Sequence, residues 1–229
     1  MNIHRILTRA TCLCIVVALT FCFFPVRAAP ASPPGAPGDD PVPPGGNVIP
    51  RPSVVEGRDG EFELDDETVI AFDHDNPRAA SGATFLAERL RRATGYPLAE
   101  IQVASRQGVM MLDNERTGSK YIGLILFDEE EFGPEGYRLV VNEGNILIGA
   151  NSAAGLIYGA TTLLQLFPAE MFADAGRRGG AEDVDWKVPC VSIVDTPRFA
   201  WRGMHLDVGR HFFPPDFIKK YIDLLSLYK

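Results

Sequence analysis

The sequence predicts an α/β (α+β) chain in two parts: a small mixed sheet with two packing helices, then the first β/α unit of an incomplete (β/α)8 barrel. Three observations predict it. Short β-rich runs alternate with two segments whose apolar residues recur at helical spacing. A polar, Gly-rich stretch over 169–185 closes that pattern. After Pro197 an alternating apolar run is followed by a helical one, which is the order of a single barrel unit.

Two segments stand in front of the fold. Residues 1–29 have the layout of a secretory signal: His4, Arg5 and Arg9 at the start, an apolar run over 12–24, and the small-residue cleavage pattern Val26-Arg27-Ala28. That run is short for a membrane span, although an uncleaved N-terminal anchor is the alternative. Residues 30–52 are dominated by Pro, Gly, Ala and Ser, too apolar-poor to offset the entropy of ordering, and are expected to be an extended linker. Cys12, Cys14 and Cys22 leave with the signal, so Cys190 is the one cysteine of the mature chain and no internal disulfide can form. It sits in the apolar run 188–194 and is expected to be a buried small hydrophobe. An exported chain of this kind is secreted or periplasmic.

The full chain of 229 residues carries a net charge of −8, and removing Arg5, Arg9 and Arg27 leaves 19 basic residues against 30 acidic ones, about −11. This excess argues against nucleic acid or an anionic membrane surface as partner and favours a neutral or cationic ligand. The acidic run 128–131 reads as a solvated loop, because four consecutive carboxylates cannot converge on one ion.

The α/β domain is expected over 53–185. Residues 54–64 and 68–72 are strands separated by Gly57, Gly60 and Asp65-Asp66. A helix follows, capped by Asp75 or Asn76 with Pro77 in its first position; Ala83, Leu86, Ala87, Leu90 and Ala93 make its apolar stripe, and Thr94-Gly95 ends it. Arg89, Arg91 and Arg92 complement the helix C-terminus without any ligand. Residues 121–127 form a strand, and 137–141 pairs with 145–150 across Asn142-Glu143-Gly144. A second helix over 152–167 carries Leu156, Ile157, Ala160, Leu163 and Leu164 inward, with Asn151 or Ser152 as cap and Pro168 as stop. Its Gly155 and Gly159 indicate close helix-to-sheet packing. Asp73-His74-Asp75 alternates sides of an extended chain and leads into a helix cap; no metal-ligand spacing and no phosphate loop is found, so no cofactor is implied.

The last part, 186–229, is read as the start of the barrel. Residues before Pro197 form a short strand or extended lead-in, and 199–208 alternates as an apolar strand with Asp207, Arg210 and His211 gathered at its end. Asp207 and Arg210 are expected to pair, His205 to be a satisfied core histidine, and His211 to pack beside Phe212 and Phe213. Pro214-Pro215-Asp216 starts a helix carrying Phe217, Ile218, Tyr221, Ile222, Leu224, Leu225 and Tyr228.

Asp195-Thr196-Pro197-Arg198-Phe199, Trp201-Arg202-Gly203 and Leu206-Asp207-Val208-x-Arg210-His211-Phe212 together resemble the family 20 glycoside hydrolases, the β-N-acetylhexosaminidases. The hairpin ending Ile146-Leu147-Ile148-Gly149-Ala150 and the helix around Gly155, Tyr158, Gly159, Thr162 and Gln165 are similar to the end of that family's small non-catalytic domain, which precedes a TIM barrel. The resemblance implies a glycan substrate with a terminal N-acetylhexosamine, removed with retention of configuration. It implies that the substrate's 2-acetamido oxygen is the nucleophile, an exception to the two-carboxylate scheme, with an Asp orienting it and the following Glu as acid. It further implies that Arg202 binds hydroxyls of that sugar through its planar fork of donors. The family's catalytic Asp-Glu pair belongs to a later barrel strand outside residues 1–229, and 199–229 supplies one of the eight units a barrel needs. The expectation is an N-terminal fragment of an exported hexosaminidase, itself inactive. The alternative is a carbohydrate-binding or protein-interaction module without catalysis.

Overall fold

The computed structural model describes residues 47–73, 76–103, 109, 119–128, 132–173 and 184–229. The signal expected over 1–29, residues 30–46 of the expected linker, His74 and Asp75 lie outside the described residues.

In chain order the elements are β1 (Val54–Glu63), β2 (Val69–Asp73), α1 (Pro77–Thr94), β3 (Glu100–Val103), β4 (Tyr121–Leu126), β5 (Tyr137–Val141), β6 (Asn145–Ala150), α2 (Ala153–Leu166), β7 (Lys187–Asp195) and α3 (Pro215–Leu227). One short 3-10 turn, Ala169–Phe172, follows α2 and buries Met171. The seven strands form one sheet in the order β1-β7-β5-β6-β4-β2-β3. Its two halves differ in direction. From β1 to β6 every neighbour is antiparallel, whereas β6, β4, β2 and β3 run parallel.

The parallel half explains why 121–126 reads as a continuous apolar run. A helix layer covers one face through Leu86, Leu90, Leu124 and Leu156, and Ala71, Val109 and Ile125 form a second cluster. α1 and α2 lie together: a Cβ on Gly82 would stand 3.1 Å from that of Leu156. On α2, a Cβ at Gly159 would stand 2.5 Å from Ile148 Cγ2, so the glycine pair serves helix-to-sheet approach as the sequence predicts. Asn76 accepts from the Arg78 N–H and caps α1, Gly95 closes it in the left-handed conformation, and Ser152 accepts from the Gly155 N–H to cap α2. Cys190 is buried in β7, where desolvation pushes its thiol above the ordinary value.

Four expectations are corrected. First, Lys187–Asp195 is an interior strand: it pairs with β1 on one side and β5 on the other, so the α/β domain runs ten residues past the expected limit at 185. Of the short strand and the extended lead-in that the sequence allows before Pro197, the strand is formed, with both ladder edges satisfied. Second, β3 joins the parallel edge beside β2, where no strand is expected. Third, the end of the expected linker is docked. Val48 is 2% exposed, and both backbone polar groups of Ile49 are bonded at 2.8 Å by the Gln165 amide, while Ile49 itself stays 59% exposed. Fourth, 199–208 is not a strand, since no described residue offers it a pairing edge. Phe199, Trp201, Met204 and Val208 are all exposed, and so is His205, which is therefore not a core histidine.

Candidate functional site

The α/β domain ends at a buried carboxylate. Residues 191, 193 and 195 of β7 share the buried parity of the strand, which puts Asp195 on the inner side with Val191 and Ile193. Its Oδ1 accepts from both the backbone N–H and the hydroxyl of Ser53, each at 3.1 Å. Its Oδ2 accepts from the Tyr137 hydroxyl at 3.2 Å and faces Lys229 Nζ at 3.5 Å. The Tyr137 oxygen in turn lies 2.6 Å from Thr162 Oγ1 and accepts from Lys229 Nζ at 2.8 Å. With the Tyr137 proton directed at Asp195, Thr162 is the donor in the first of these contacts, and every group in the set is satisfied.

Burial, and after it the Asp195 charge, pushes the Tyr137 phenol well above its ordinary range, so it stays neutral. Burial lowers the Lys229 ammonium from its ordinary value, and Asp195 offsets part of that. This set is a buried polar cluster, with the Lys229 and Asp195 side chains 5% and 12% exposed.

Arg202 stands nearby but does not reach it. Its Nη2 donates to the Tyr158 hydroxyl at 3.0 Å, Nη1 to Glu135 Oε2 at 3.1 Å and to the Phe199 carbonyl, and Nε to the Lys229 carbonyl at 3.2 Å. Burial alone would weaken its charge, but the Glu135 hydrogen bond and charge outweigh that and hold its pKa above the ordinary value. Four of this guanidinium's five N–H donors meet protein groups within the described residues. Its ion pair is with Glu135; Asp207 is engaged elsewhere.

Asp207 and Arg210 pair at 3.0 Å, as the sequence predicts, and Asp207 Oδ1 also accepts from the backbone N–H groups of Gly209 and Arg210 at 2.9 and 3.3 Å. This local turn fixes the loop 207–211, while the Arg210 side chain remains 86% exposed. His211 and Phe212 beside it are exposed too. Among the described residues no group of three or more His, Cys, Asp or Glu could hold a metal ion, and no helix is long and apolar enough to cross a membrane.

Glu135, Tyr158, Asp195 and Lys229 form the contacts that reading the sequence did not anticipate. One signal for them was present: a carboxylate at a buried parity position of a strand requires a partner.

Comparison with known proteins bears on the whole arrangement. The model described as "Glycosyl hydrolase family 20, domain 2" matches residues 46–196, and that described as "Glycosyl hydrolase family 20, catalytic domain" matches 199–229. A beta-N-acetylhexosaminidase of Cellulomonas fimi is 34% identical over 80% of this chain and 32% of its own length. The structure of the beta-N-acetylhexosaminidase from Streptomyces coelicolor superposes with a TM-score of 0.67 at 38% identity, over 81% of this chain and 33% of that one. A mutant Streptomyces plicatus beta-hexosaminidase in complex with its product GlcNAc gives 0.66 at 36%, over 82% and 34%. The chain thus spans about a third of the length of each of these relatives.

Proposed function

Because the chain belongs to glycosyl hydrolase family 20, we propose that it is the N-terminal part of an exported β-N-acetylhexosaminidase that removes terminal N-acetylglucosamine or N-acetylgalactosamine. The observation that carries this reading is the succession of a match to the family's domain 2 over 46–196 and a match to its catalytic domain over 199–229. The relatives so named support the reaction class, and a neighbouring enzyme binds GlcNAc as product. The mechanism is then substrate-assisted: the 2-acetamido oxygen attacks the anomeric carbon, an Asp steadies the acetamido group, and the adjacent Glu protonates the leaving oxygen.

Within residues 199–229 the group offered to the sugar is Arg202, whose planar, always-charged fork of donors can bracket two adjacent hydroxyls. Residues 1–29 direct export to the periplasm or the medium and are removed there.

The test is hydrolysis of a chromogenic N-acetylglucosaminide with retention of configuration by the enzyme that contains this chain. Residues 1–229 by themselves are expected to give no turnover. An enzyme containing them that cleaves other glycosides and ignores N-acetylhexosaminides would refute the proposal. So would an Arg202→Lys variant with unchanged KM, as far as the residue assignment goes.

A further inference from the structure

The last row of β7 is polar. Val54 of β1 stands opposite Val194, and Tyr137 of β5 stands opposite Asp195. β1 begins at Val54, and the N–H of Ser53 just before it goes to the Asp195 carboxylate in place of a further backbone pair, as does the Ser53 hydroxyl, both at 3.1 Å. The second carboxylate oxygen accepts from the Tyr137 hydroxyl at 3.2 Å, and that hydroxyl meets Thr162 Oγ1 of α2 at 2.6 Å. Val191 and Ile193 precede Asp195 on the same inner side. An apolar residue would have continued their pattern; a carboxylate buried this far is kept only with its acceptor positions filled. All four groups lie within 46–196, the span matched by the family's domain 2.

This row fastens the beginning of the domain to its end, at the place where the chain leaves it. Ser53 closes a segment already held at Ile49 by the Gln165 amide of α2. Beyond Asp195 the chain has little choice of path. Pro197 fixes its own φ and biases Thr196 toward extended backbone. Thr196 also passes close over Gly136, where a Cβ would stand 2.8 Å from the threonine Oγ1. Residues 195–197 are thus a short, stiff exit, and Arg202 follows Pro197 by five positions.

We propose that Asp195 is a positioning residue: by joining Ser53, Tyr137 and Thr162 at the start of that exit, it sets where Arg202 stands relative to the sugar. The proposal rests on the assignment of Arg202 to the sugar made above. It gives the α/β domain a part in substrate binding that is exerted through the arginine, as support for a binding group held on a rigid element.

Steady-state kinetics on a chromogenic N-acetylglucosaminide, with the enzyme that contains this chain, tests it. Asp195→Asn keeps the shape of the side chain but turns one acceptor into a donor, and it is expected to raise KM at least about fivefold with kcat within about twofold. Ser53→Ala, which leaves the backbone N–H bond in place, is expected to raise KM about twofold. In the Asp195→Asn/Arg202→Lys double variant KM is expected to rise no further than in Arg202→Lys, because the aspartate acts through the arginine. A merely structural role would lower the thermal unfolding midpoint of Asp195→Asn and leave KM where it was. That result, or KM effects that multiply in the double variant, would overturn the proposal and leave the activity standing. Should Asp195→Asn fail to fold, Ser53→Ala alone and with Arg202→Lys decides in its place, and an unchanged KM for Ser53→Ala would count against the positioning role. No turnover by the unmodified enzyme would overturn the activity and the proposal together.

Discussion

Helices α2 and α3 are nearly equal in length, both start with a recognisable signal and both carry an apolar stripe, yet α2 buries eight residues and α3 buries none. The stripe in each case specifies a helix; burial requires a surface to receive it. α2 has the sheet beneath it, whereas the apolar residues of α3 are at most partly buried within the described residues. A substitution in one helix should therefore mean something different from the same substitution in the other.

The strongest way to break the comparison is Leu163→Ala against Leu224→Ala. Leu163 is fully buried, and its truncation is expected to cost about 2–5 kcal/mol in urea unfolding of the α/β domain. Leu224 is 46% exposed, and its truncation is expected to fall within about 0.5 kcal/mol. Equal losses would mean that α3 is packed after all. Next, Gly159→Ala drives a methyl toward Ile148 and Tyr137 and is expected to cost about 1–3 kcal/mol by overpacking. Gly203→Ala, where nothing lies within 4 Å, is expected to be neutral in the same assay. Third, Ser152→Ala removes the α2 cap and its hydrogen bond to the Pro134 carbonyl, with about 1 kcal/mol of stability lost in thermal unfolding. α3 has no side-chain cap to lose, so Pro214→Ala should change little.

The smallest effect is electrostatic. Burial pushes the Asp65 carboxyl up, but hydrogen bonds from Thr68 and from the Lys120 ammonium outweigh it and hold the folded value below the ordinary one. Its contribution is present above the unfolded value, about 3.9, and is lost as pH falls through the folded value. Thermal midpoints are thus expected to fall more steeply with acid below about pH 4 in the unmodified chain than in Asp65→Asn. Parallel slopes would remove Asp65 from the account.

The α/β domain was largely legible because its signals are local. Asn76-Pro77 and Gly95 bracket α1, Ser152 and Pro168 bracket α2, and Asn142-Glu143-Gly144 marks the hairpin. What escaped depends on partners distant in sequence. β3 is a four-residue edge whose strand character comes from β2. The place of β7 inside the sheet escaped because β1, its neighbour, lies more than a hundred residues earlier. The 199–208 run has the alternation of a strand without a ladder to join, and alternation alone forms no hydrogen bonds. The partners around Arg202 escaped in the same way, because no local pattern announces the proximity of Glu135 and Tyr158.

The place of β7 in the sheet also sets an order of events. β1 has β7 as its sheet neighbour, and Val54 meets Val194 across a separation of 140 residues. During synthesis the β4–β2–β3 and β5–β6 pairings can close early, but β1 must wait, unpaired, until nearly the whole domain has emerged. Its composition suits that wait: Glu56, Arg58, Asp59, Glu61 and Glu63 leave few consecutive apolar residues for a stray strand to grasp. The domain is a loop fastened last at its own beginning, and the nascent chain keeps that loose end charged.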